Sequence, residues 1–123
     1  YTGQKVFKDK FPSETKDFNQ DTYLKIENSG DDIIVAIENT GTGKVIQHAY
    51  ISSRDTYEFK YIPVGSYVCK YMWTDYNGRK HFQKDNSTMK YRVNEVGGYV
   101  ITLKETQFGN LSQSDINESE FFD

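Results

Sequence analysis

The stretch Tyr57-Glu-Phe59-Lys-Tyr61-Ile-Pro63-Val-Gly65-Ser-Tyr67-Val-Cys69-Lys-Tyr71 leaves the chain little freedom of fold. Side chains alternate faces along a strand, so a period of two puts Tyr57, Phe59 and Tyr61 on one face and Glu58 and Lys60 on the other. Past the Ile-Pro-Val-Gly corner the alternation resumes with Tyr67, Cys69, Tyr71 and Trp73 in phase. Pro63 has no N–H to give to a ladder and therefore falls between strands. Two strands, each with one ring-bearing face, predict a two-layer β-sandwich with the rings between its layers. Only 36% of the residues are hydrophobic but 15% are aromatic, so Tyr and Phe must carry much of the burial.

Turn signals divide the rest into short strands. Thr22–Glu27 carries Leu24 and Ile26 in phase and ends at the turn cluster Asn28-Ser-Gly-Asp-Asp32. Ile33–Glu38 is almost continuously apolar, the pattern of a strand covered on both faces. Asn39-Thr-Gly-Thr-Gly43 predicts a hairpin into Lys44–Ile51, and Ser52-Ser-Arg-Asp55 a turn into Thr56–Tyr61. Asp75-Tyr-Asn-Gly78 carries an Asn-Gly pair, which predicts a type I′ hairpin turn. Weaker strands cover Lys80–Gln83 and Thr88–Val93, and Gly97-Gly98 introduces Tyr99–Glu105.

The whole reads as an all-β chain: one antiparallel sandwich of about seven strands with Greek-key-like crossings. At 123 residues it fits one domain. Residues 1–20 form a polar N-terminal arm that Val6, Phe7 and Phe11 can anchor, with Pro12 excluding a helix. The sandwich takes 21–107. Residues 108–123 make an acidic tail pinned by Phe121 and Phe122, or a short helix within Ser112–Phe122.

Charge narrows the partners. A net charge of −3 lacks the basic surface that gives nucleic-acid binding its affinity. The segment from Arg79 to Arg92 is basic and that from Glu105 to Asp123 acidic, two solvated stretches that can lie side by side. The longest apolar run, Ile33–Ile37, is too short to span a bilayer. A chain opening on Tyr1 rather than Met points to a removed upstream segment; a signal or anchor there would make this an exported, periplasmic or cell-surface domain.

The stretch Ser53–Val68 resembles the core signature of carboxypeptidase regulatory-like domains, which are prealbumin (transthyretin)-like sandwiches with a Tyr-x-Phe … Pro-x-Gly-x-Tyr hairpin. Val45–Ser52 is similar to the strand before that hairpin. Gly98–Leu103 and Glu118–Phe122 are similar to domains of Bacteroidota envelope proteins. The resemblance specifically covers residues 44–74 and speaks for fold more than activity. It implies a non-enzymatic accessory module of a larger exported or envelope-associated bacterial protein, acting as a spacer, folding aid, scaffold or binding domain. It carries over no functional residue, because Pro63, Gly65 and Tyr67 are structural positions. Two departures stand out: Asp55 replaces a frequent Gly, and the 79–92 segment is longer and more basic.

The residues themselves offer little chemistry. His48 lies mid-strand and His81 follows the Asn-Gly turn, with no Gly-x-Ser-x-Gly elbow for either to serve. The lone Cys69 excludes an intrachain disulfide, and its phase predicts a buried, inert thiol. Asp31-Asp32 and Asp75–Gly78 read as turns rather than calcium loops, and no cofactor is expected. The sequons at Asn86, Asn110 and Asn117 have meaning only in a glycosylating secretory pathway.

One arrangement suggests a ligand. If Trp73 or Tyr76 points outward, either offers a flat platform for a sugar ring, with Asp75, Asn77 and Arg79 available for hydroxyls. If Trp73 instead keeps the phase of Tyr71, it is core. The alternatives for function are thus a protein-interaction scaffold, a carbohydrate-binding module and, third, a hydrolase if a pocket brings His48 or His81 within reach of a carboxylate and a nucleophile, with an edge-strand dimer as a further route.

Overall fold

A computed structural model describes residues 1–11, 14–103 and 113–122. Pro12, Glu105, Asn110 and Ser112 therefore lie outside the described residues. The strands are β1 (Asp21–Asn28), β2 (Ile33–Asn39), β3 (Val45–Ile51), β4 (Asp55–Lys60), β5 (Gly65–Thr74), β6 (Lys80–Asp85), β7 (Met89–Tyr91), β8 (Val96–Leu103) and β9 (Gln113–Asp115). A five-residue helix, α1 (Glu118–Phe122), follows. The chain is all-β, and seven of these strands have six residues or more.

Two sheets face each other. The smaller has the order β4-β1-β8; the larger runs β3-β2-β5-β6-β9, with β7 beside the start of β5. Leu24, Ile26 and Phe59 from the small sheet meet Val35, Ile37, Tyr67, Cys69, Tyr71 and Trp73 from the large one. These are the in-phase residues of the sequence pattern, and the rings lie between the layers as that pattern requires.

Four details depart from the sequence reading. First, β8 runs parallel to β1, so the sandwich is not purely antiparallel. Second, the Ile62–Gly65 corner is no hairpin: β4 and β5 belong to different sheets, and the chain crosses between layers there. Tyr67 Oη braces that crossing by donating to the Pro63 carbonyl at 3.0 Å. Third, Tyr61 leaves the inward phase because its backbone is left-handed (φ 60°). Its ring goes instead onto Phe18, at 4.9 Å between centroids. Fourth, the polar triplet Gln113-Ser-Asp115, expected as tail or helix, is a strand paired with β6, so described parts of the basic and acidic segments lie side by side as the sequence allowed.

The large sheet is also covered on its outer face. Phe7 and Phe11 of the N-terminal segment and Phe121 and Phe122 of α1 pack there over Ala36, Met72 and Phe82. Buried apolar neighbours on both faces explain why Ile33–Ile37 reads as a continuous apolar run. The N-terminal segment also bonds along β3, with Gly3 N on Tyr50 O at 2.7 Å and Thr15 N on Ile46 O at 2.9 Å.

Candidate functional site

The end of β5, with Trp73, and the β5–β6 turn, with Asp75, Tyr76, Asn77 and Arg79, hold the five residues of the proposed platform. The turn is not the two-residue type I′ turn expected of Asn-Gly, since Asn77 lacks a positive φ and only Gly78 has one (81°). Gly78 N bonds to Asp75 O and Asp75 N to Arg79 O, both at 2.9 Å. This is a three-residue loop whose left-handed position falls to glycine, the residue with no side-chain penalty there.

Asp75 organises the loop. Its Oδ1 accepts from the Asn77 amide at 2.9 Å and the Arg79 amide at 3.0 Å, and its Oδ2 lies 2.8 Å from His81 Nε2. The His81 hydrogen bond, followed by the Arg79 amide, holds the carboxyl below its ordinary value. Asp75 is thus occupied in shaping its own turn.

The platform residues separate. Trp73 is only 6% exposed, keeps the inward phase, and stacks on His81 at 5.2 Å. It is core, so it offers no outward sugar platform. Tyr76 is the reverse, 97% exposed at the loop tip. Asn77 and Arg79 are exposed beside it.

Tyr76 borders a depression that its sequence neighbours alone do not reveal. The turns before β2, before β4 and after β5 meet at one end of the sandwich around a hollow of about 340 Å³, lined by Asp31, Asp32, Ser53, Thr74, Asp75 and Tyr76. A second hollow of about 280 Å³ adjoins it through Asp32 and Thr74 and reaches Ile34, Tyr50 and Met72. Asp32 Oδ1 accepts from the Ser53 amide at 2.7 Å. That bond and one from the Tyr50 hydroxyl lower the Asp32 pKa, so the carboxylate persists at the rim. Among the described residues no group of three or more His, Cys, Asp or Glu could hold a metal ion.

The other candidates serve the fold. His48 is buried on the outer face of β3, where Nε2 accepts from the Phe7 amide at 3.1 Å and the ring packs against Phe11 at 5.1 Å. Burial, with Lys5 nearby, lowers its pKa to about 4. Cys69 is fully buried and its thiol is pushed well above the ordinary value by desolvation. Tyr71 Oη lies 2.7 Å from Asp85 Oδ2, and burial raises the pKa of both groups. Asn86 Oδ1 accepts from Ser114 Oγ at 2.6 Å, while Asn117 Oδ1 caps α1 by accepting from Glu120 N at 2.8 Å.

One buried group escaped the sequence reading. Lys70 alternates with the ring-bearing residues and so belongs on the outer face of β5, yet it is 1% exposed. Its Nζ lies 2.9 Å from Glu38 Oε1 and donates to the Glu120 carbonyl at 2.8 Å. No local signal marks this, because the cover over Lys70 comes from residues about fifty positions further along the chain.

Compared with protein-family models, curated proteins and solved structures, the chain matches none. Among the described residues no helix is long and apolar enough to cross a membrane.

Proposed function

We propose that this chain is a non-enzymatic accessory module of the carboxypeptidase regulatory-like, prealbumin-like kind, serving a larger exported or envelope-associated bacterial protein as scaffold or protein-interaction domain. One observation carries the reading: the reactive side chains are engaged in holding the fold. His48 fastens the N-terminal segment, His81 orients Asp75, and Cys69 sits in the core. Nucleophilic or general-base catalysis needs such groups within reach of substrate. The Pro63–Tyr67 brace supports the family part of the proposal by giving the signature a structural task.

A second reading rests on Tyr76 standing exposed at the rim of the loop-end hollow beside three aspartates. An aromatic face with carboxylate acceptors suits a sugar. Calorimetric titration with a polysaccharide panel, alongside fractionation of cells expressing the full-length reading frame, tests both. The scaffold reading expects no saturable sugar binding and a full-length product in the exported or envelope fraction. Sugar binding abolished by Tyr76→Ala would replace it with the glycan reading. A cytosolic full-length product would sink the envelope assignment.

A further inference from the structure

The two sheets end on β3, β9, β4 and β8, and the short β7 is a further edge whose Lys90 amide and carbonyl are taken by the Tyr99 hydroxyl. An open edge is a template for another strand unless something blunts it. The N-terminal segment covers β3: besides the bonds from Gly3 and Thr15, Tyr50 N donates to Gln4 O at 2.9 Å. At the other end of the large sheet β9 is three residues long and ends on Asp115. In the small sheet β4 carries the charges Asp55, Glu58 and Lys60. The fourth edge, β8, is eight residues long with no charge and no proline. Among the described residues no strand pairs with its outer side, and Val96 and Val100 are 76% and 54% exposed.

Resting on the interaction-module reading and naming its partner, we infer that β8 pairs antiparallel with β8 of a second copy of this chain, about a two-fold axis through Gly98. The result is one continuous six-stranded sheet, β4-β1-β8 joined to β8-β1-β4. A two-fold, self-complementary contact is the commonest closed assembly.

Charge and the two exposed valines together select the register. Directly opposed residues in an antiparallel pair share a face, so outward residues must oppose outward residues. On the outward face Val96 lies beside Asp21, Val100 beside Lys25 and Thr102 beside Glu27, while Gly98, beside Tyr23, has no room for a side chain and belongs to neither face. Thr102 Oγ1 donates to Glu27 Oε1 at 3.1 Å, so these two side chains share one face. An axis through Gly98 lays Val96 on Val100 of the other copy, so each such row runs Asp21, Val96, Val100, Lys25, with opposite charges at its ends. An axis through Tyr99 would end rows in Asp21 and Glu27, two acids. An axis through Val100 would end the central row in two Lys25. Of these three only the first is complementary. An axis through Ile101 would also end its row in opposite charges, Lys25 and Glu27, but would leave Val96 outside the paired stretch, whereas the first lays the two exposed valines on each other. The ends of the Gly98-axis row are roughly 14 Å apart at the backbone, three strand spacings. The length of the lysine closes much of that gap, so the attraction falls within the screening distance of physiological salt.

Sedimentation velocity of the purified chain, up to about 200 µM, tests the proposal. The expected result is a reversible dimer whose Kd rises at least tenfold in Val100→Lys and is unchanged in Thr56→Lys, on the already charged β4 edge. Asp21→Lys and Lys25→Asp should each weaken the dimer, and the double swap should restore it. Circular dichroism checks that each variant remains folded. A monomer throughout the range, a dimer indifferent to Val100→Lys, or open-ended oligomers would each overturn the pairing. Failure of the swap to restore affinity would overturn the register. A monomeric result would leave the interaction-module reading to its own test.

Discussion

At the residue scale, the pairing of Lys70 with Glu38 most clearly separates local pattern from tertiary outcome. An ammonium only 1% exposed is tolerated because Glu38 and the Glu120 carbonyl replace its water. Lys84 also reaches Glu38, at 3.3 Å, so the carboxylate serves two cations. Removing one member of a buried pair leaves the other uncompensated and typically costs 3–5 kcal/mol, whereas replacing both with apolar residues can be nearly neutral. Lys70→Met should therefore cost about 3 kcal/mol in urea unfolding, the lower end, because Glu38 keeps Lys84. Lys70→Met with Glu38→Leu should recover more than half of that loss. Additive losses in the double variant would show that the two groups do not act as a pair.

At the element scale, α1 is too short to be stable by itself, since isolated helices of fewer than about twelve residues are marginal in water. Packing and capping hold it instead. Asn117 caps its first turn, and Phe121, wholly buried, meets Phe7, Phe11 and Phe82. Phe121→Ala should consequently cost about 3–4 kcal/mol, as a central core ring does, measured by chemical denaturation. A cost below about 1 kcal/mol would mean that the outer layer is not integral to the fold. The same distinction explains what the sequence could reveal. Strand positions and the inward set Tyr67, Cys69, Tyr71 and Trp73 were legible, because alternation is a local property. Which strands pair was not. Nothing between Gly97 and Leu103 says that β8 will run parallel to β1. One trace of it is Gly98, where a Cβ would run into the Tyr23 carbonyl. Nor does the Pro63 corner announce a change of layer, since a corner and a hairpin use the same turn residues. For the site, Tyr76 and Asp75 were found because they flank one turn, whereas Asp31, Asp32 and Ser53 arrive from two other loops.

At the scale of the whole molecule, the large sheet lies between two apolar layers, the inter-sheet core and the cover formed by the chain's two ends. His48 belongs to the second layer and makes it sensitive to acid. Its ring is held neutral, accepting from Phe7 N, with the folded pKa near 4 against an ordinary 6.5. Between those values the unfolded chain binds the proton and the folded one does not. Stability from this group is therefore fully present above pH 6.5 and is lost as pH falls toward 4. Lys5 reinforces the depression and Glu14 opposes it. Asp85, whose carboxyl is raised by burial, contributes with the opposite sign: it favours the folded state at low pH and loses that effect as pH rises through its folded value. Comparing the wild type with His48→Gln separates the two, because glutamine retains an acceptor for Phe7 and does not titrate. The wild type should lose roughly 2 kcal/mol more than His48→Gln as the pH falls across that window. The loss should appear first in hydrogen exchange at the Gly3, Phe7 and Thr15 amides, which fasten the N-terminal segment to β3. Amides of β2 and β5, at the centre of the sheet, should keep their protection until global unfolding. Equal acid sensitivity in the two proteins would remove His48 from the account. Simultaneous loss of protection in both layers would show that the outer cover and the sandwich open as one cooperative unit.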